Sequence, residues 1–94
     1  MRIKEKLQAV IRSIREMPDP EEVPALLQHT IEELIDADIM GLELSLCVHY
    51  IKQELGKCLL EADSRELENI RAATRWLWGF ECVFGKNVYH FELN

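Results

Sequence analysis

Residues 42–50 read Leu42-Glu-Leu-Ser-Leu-Cys-Val-His-Tyr50, LELSLCVHY. Leu42, Leu44, Leu46, Val48 and Tyr50 alternate with Glu43, Ser45, Cys47 and His49, which is the period of a half-buried strand. A longer window fits a helix equally well, with Met40, Leu44, Cys47, Val48, Ile51, Leu55, Cys58, Leu59 and Ala62 on one stripe. A strand needs a second strand to hydrogen-bond with. The helical period wins on that ground and predicts one helix over 39–62, apolar on most sides early and therefore buried there. The fold class follows from this choice: an all-α small helical bundle in a single domain.

Working outward, Asp63-Ser-Arg-Glu66 is a D-x-x-E helix start. The helix it opens is expected over 64–84. Its stripe is Leu67, Ile70, Ala73, Leu77, Phe80 and Phe84, and Gly85-Lys86-Asn87 reads as its stop. A short connection at EADSRE makes the two helices an antiparallel αα-hairpin. Beyond the stop, residues 88–93 alternate, with Tyr89, Phe91 and Leu93 on one side, and read as a short extended tail.

Toward the N-terminus, Ile3, Leu7, Val10, Ile11, Ile14 and Met17 form the apolar stripe of a basic amphipathic helix over 3–16. Pro18 and Pro20 end it. Asp19 as N-cap, Pro20 at the first position and Glu22 two further on start an acidic helix over 20–36. Pro24 fits that start less well and favours a later one. Asp36, Asp38 and Gly41 mark a kink or break before the hairpin.

This hairpin, with its helix lengths, its turn and its small size, resembles the compact helical hairpins common among small bacteriophage-encoded proteins. The resemblance covers roughly residues 42–84. It implies a phage origin and a place in the host cytoplasm or the virion.

The chain of 94 residues carries a net charge of −6, unevenly spread. Residues 1–16 hold five Lys/Arg against two acids, residues 17–46 hold eight acids and no Lys or Arg, and residues 47–94 are nearly balanced. A net acidic chain is a poor general nucleic-acid binder, because phosphate contacts need clustered cations. Three cysteines, Cys47, Cys58 and Cys82, without a secretion signal point to a reducing, cytoplasmic setting. No run reaches the length of a membrane span.

Catalytic chemistry is not expected. His29, His49 and His90 fall in different segments, and there is no C-x-x-C, H-x-x-x-H or H-E-x-x-H pattern. FGKN at 84–87 lacks the frame of a phosphate loop. Neither a cofactor nor a metal is expected. Ala37-x-x-x-Gly41 has the look of a helix-turn-helix turn. Asp36 stands where that motif needs an apolar residue, and the following helix lacks base-reading side chains.

The remaining signal is RWLWGFECVF at 75–84, which holds four of the seven aromatics. Leu77, Phe80 and Phe84 face the seam, while Trp78 lies about 100° past Leu77, within reach of Arg71 and Arg75 as stacking cations. The segment has nearly two apolar stripes where one suffices for a core. Trp and Arg dominate binding energy at protein contacts. The sequence therefore predicts a protein interface at Arg71, Arg75, Trp76 and Trp78, with Tyr89 and Phe91 of the tail as further candidates. The function expected is non-enzymatic protein–protein interaction or assembly, as a homo-oligomer or a component of a larger complex. An alternative is an acidic inhibitor whose surface at Glu32, Glu33, Asp36 and Asp38 occupies a basic nucleic-acid-binding site on a partner. A third is weak DNA binding through the N-terminal helix.

Overall fold

The computed structural model describes the backbone of residues 2–93 and the side chains of residues 2–83. Four α-helices follow one another: α1 (Ile3–Glu16), α2 (Val23–Asp36), α3 (Leu42–Cys58) and α4 (Ser64–Leu93). No strand occurs among the described residues. The alternation at 42–50 dissolves into a helical pattern. Leu44, Cys47, Val48, Ile51 and Leu55 are buried, whereas Leu42 and Leu46 point away at 70% and 67% exposure. The expectation that α3 is buried on most sides early is thus corrected, because only one flank of α3 meets other helices.

α4 organises the molecule. Its 30 residues span about 45 Å at the usual helical rise. α1, α2 and α3 each pack against it. α1 also touches both α2 and α3, so those two flank the α1–α4 pair from opposite sides. The core is a single cluster. Ile14, Val23, Leu27, Leu34, Leu44, Val48, Ile51, Leu55, Ile70, Ala73 and Leu77 are all at or near full burial within it. Asn69 is the one amide inside it among the described residues; its Nδ2 donates to the Met17 carbonyl at 2.8 Å, tying the end of α1 to α4. An ion pair between Arg15 and Glu66, at 3.1 Å, closes the same junction from outside.

The helix ends follow from local chemistry. Asp19 caps as expected, its Oδ1 accepting from the Glu21 N–H at 2.9 Å, but it opens a 3-10 turn over Pro20–Glu22. α2 proper begins at Val23, with Pro24 in its first turn where no N–H is needed. At the other end of α2 the Ile39 N–H reaches the Leu34 carbonyl and the Asp38 N–H reaches that of Ile35. This is a Schellman closure with Asp38 at the left-handed position, φ 63°, and Ile39 buried just past it. Ile39 and Met40 are therefore loop, not helix, and α3 starts only after Gly41, whose φ of 65° suits a residue without a Cβ. Asp63 caps α4 through its Oδ1 and the Glu66 N–H at 2.8 Å.

Three boundaries differ from the sequence reading. The helix expected over 39–62 is α3, Leu42–Cys58, and residues 59–63 form the turn. The acidic helix expected over 20–36 starts three residues later. Gly85-Lys86-Asn87 does not stop α4, which continues to Leu93, so residues 88–93 are helical rather than an extended tail. Gly in a helix interior costs about 1 kcal/mol and Asn less, and neither removes a backbone N–H as proline does.

Candidate functional site

The outer faces of α3 and α4 diverge around an open groove of about 910 Å³. α3 contributes His49, Lys52, Gln53 and Gly56 to its wall, and Leu59 lies at the turn. α4 contributes Leu67, Ile70, Arg71, Thr74, Arg75 and Trp78. The spacings 49, 52/53, 56 and 67, 71, 74/75, 78 are i+3 and i+4 steps, so each set is one helix face. The floor is apolar, and the rim carries three permanent cations and a histidine with no carboxylate among the lining residues.

Trp78 stands at one end of this groove with 61% of its surface exposed. The cation on its ring is Lys52, whose Nζ lies 5.7 Å from the ring centroid. The sequence reading named Arg71 and Arg75 for that role. Both line the groove with Trp78, but a cation from α3 takes the ring. The same Nζ lies 2.7 Å from Glu81 Oε1, an oxygen buried behind it. Lys52 thus fixes the indole's edge of the groove to α4.

Trp76 is on another face. Its ring stacks on Phe80, with centroids 5.7 Å apart and planes within 7°. It lines a smaller hollow of about 380 Å³ with Pro20, Glu21, Pro24, Glu68 and Ala72. The two indoles therefore do not form one patch, since a two-residue step on a helix turns about 200°. Arg71 and Arg75 lie on the ridge shared by both hollows. Tyr89 and Phe91 lie beyond the residues whose side chains are described.

The acidic residues are spread over different surroundings. Glu33 accepts from Lys6 at 2.7 Å and lies 3.1 Å from His29 Nε2. The Lys6 hydrogen bond holds its carboxyl below the usual glutamate range. Glu32 accepts from Gln28. Asp36 is the last residue of α2 and Asp38 its left-handed closure. Glu33 is therefore a fastener between α1 and α2 more than a free surface charge.

No three His, Cys, Asp or Glu side chains converge as a metal site among the described residues. Cys47 is buried in α3, and burial pushes its thiol pKa up, with Glu43 adding to the effect. Cys58 is half-buried and Cys82 exposed. No described helix is long and apolar enough to cross a membrane.

Of the residues the sequence offers as an interface, Arg71, Arg75 and Trp78 line this groove, and none of the α3 residues that face them was among them. The signals on α3 were Gly56 in its last turn and the surplus leucines at 42 and 46. Neither points to a groove until the two helices are placed side by side. Comparison with known proteins returns no matching family, curated protein or solved structure.

Proposed function

We propose that this protein is a non-enzymatic docking module that binds a protein partner in the groove between α3 and α4, as a component of a larger assembly. In this reading α3, the turn at 59–63 and α4 act together as a helical hairpin whose outer seam is the binding face. The observation that carries it is the exposed indole of Trp78 beside an apolar floor. A tryptophan left this open forgoes roughly 3–4 kcal/mol of burial that a partner can recover. Its neighbours Arg71 and Arg75 are the residue type that most often anchors such contacts. The acidic-inhibitor reading draws less support, because Glu33 is already engaged by Lys6 and His29.

The test is site-specific photo-crosslinking in the native cell, with a benzophenone side chain at Gln53 on the groove wall and, as control, at Ser13 on α1. A discrete adduct from position 53, absent from position 13 and lost on Trp78→Ala, is the expected result. Silence at position 53, together with an unchanged solution mass and unchanged cellular behaviour for Trp78→Ala, defeats the reading.

A further inference from the structure

The charge around the groove runs against the charge of the molecule. The chain is −6 overall, yet Lys52, Arg71 and Arg75 rim the groove and no acid lines it. The acids that answer these cations stand behind them. Glu81 reaches Lys52 through a buried oxygen. Glu68 pairs with Arg71 at 3.7 Å from the side of the second hollow. Arg75 is exposed and makes no ion pair among the described residues. An approaching ligand meets an apolar floor edged with positive charge.

The backbone adds a second constraint. Gly56 lies in the last turn of α3, on the groove wall, and a methyl group built on it touches nothing within 4 Å. Glycine in a helix interior is destabilising relative to alanine. The Gly56 carbonyl accepts the Leu59 N–H at 3.3 Å as α3 closes, and no side chain packs against its Cα. A glycine on the wall of an open groove lets another backbone come close. The lined stretch covers His49 to Gly56 on α3, with Leu59 at the turn beyond it, and Leu67 to Trp78 on α4, about 10 Å and about 16 Å along the two axes. The α4 stretch is the length of three turns of helix. Leu42 and Leu46 extend the same face of α3, at i−7 and i−3 from His49, and both are exposed.

From these features we infer that the occupant of the groove is an acidic amphipathic helix of a partner protein. This rests on the docking reading above and supplies the chemistry of its partner. The helix lays apolar side chains at i, i+3/i+4 and i+7 onto Leu59, Leu67 and Trp78. Its flanking Glu or Asp residues meet Arg71 and Arg75 on one rim and Lys52 on the other. Its backbone passes closest over Gly56. This is the helix-in-groove mode of recognition, with charge selecting the partner and setting the association rate.

The experiment is a display selection with the full-length protein as bait. The probe is a library of 16-residue peptides with leucines fixed at helical spacing and the flanking positions randomised. Each pool is counter-screened against Trp78→Ala, which leaves the core untouched. The expected winners are net acidic. They bind at least tenfold tighter than versions with every acid changed to lysine, and lose about tenfold on Arg71→Gln/Arg75→Gln. Gly56→Ala should raise the thermal midpoint of the free protein while weakening these peptides at least tenfold, an effect that general destabilisation cannot produce. Winners that depend on Trp78 but are neutral or basic overturn the acidic partner and leave the groove reading standing. No Trp78-dependent winner overturns both. A dimer by light scattering that Trp78→Ala dissolves puts a second copy in the groove and also overturns the inference.

Discussion

The ammonium of Lys52 on α3 lies 5.7 Å from the ring centroid of Trp78 on α4 while also pairing with Glu81 at 2.7 Å. One side chain thereby links two helices through a ring face and a carboxylate. Cation–π contacts at partly exposed sites contribute about 0.5–1 kcal/mol. Lys52→Met keeps the stem and removes the charge. It should red-shift Trp78 emission in a Trp76→Phe background and lower stability by about 1 kcal/mol, mainly through the exposed cost to Glu81, whose oxygen then lacks its positive neighbour. An unchanged emission maximum shows that Lys52 does not hold the indole.

Adjacent residues in α4 separate folding from binding. Leu77 is fully buried and Trp78 is mostly exposed. Leu77→Ala opens a cavity in the core and should cost about 2–5 kcal/mol, a large share of the stability of a domain this size. Trp78→Ala should cost about 1–2 kcal/mol, less than Leu77→Ala, and leave the fold intact. Urea denaturation of both variants checks this; comparable losses at the two positions are incompatible with the described burial.

Asp38 carries a positive φ at the end of α2. A residue with a Cβ is held there at a cost of about 1 kcal/mol, which glycine avoids. Asp38→Gly should therefore raise the unfolding free energy by up to about 0.5 kcal/mol, after the entropy of the unfolded glycine is subtracted. Ile39→Ser, one residue on, should do the opposite, because Ile39 is the buried hydrophobic contact of the same closure. A pair of thermal melts decides both signs.

The Lys6–Glu33 pair makes stability pH-dependent. Hydrogen bonding from Lys6 lowers the Glu33 pKa in the folded state. Its contribution is complete above the unfolded glutamate value, about 4.3, and is lost as pH falls through the lower native value. Wild type should thus exceed Lys6→Met in urea midpoint at neutral pH, with the gap closing on acidification below about pH 4. A gap that is constant with pH excludes Glu33 as the titrating partner.

Much of this fold was legible in the residues themselves. The stripes Leu7, Val10, Ile11, Ile14 and Ile70, Ala73, Leu77 are buried as their period required, because a helix presents every third or fourth side chain to one side. Asp19 and Asp63 cap because a side-chain oxygen at that position meets free N–H groups whatever surrounds it. Signals of that kind are local. The stop at Gly85-Lys86-Asn87 was misleading for the same reason: it is a preference of about 1 kcal/mol, and preferences of that size do not fix where a helix ends.

The sequence by itself determined the helices, their buried stripes and the aromatic surplus on α4, since each depends on neighbours within a few residues. Only the tertiary structure decided that Lys52 rather than Arg71 or Arg75 covers Trp78, that Trp76 belongs to a different face, and that Glu33 is spent on Lys6. Those pairings join residues 26 or 27 positions apart in the first and last cases. Such contacts depend on how α3 and α4, or α1 and α2, are rotated about their own axes. That rotation is set by the shared core, to which every helix contributes and which no single stretch encodes.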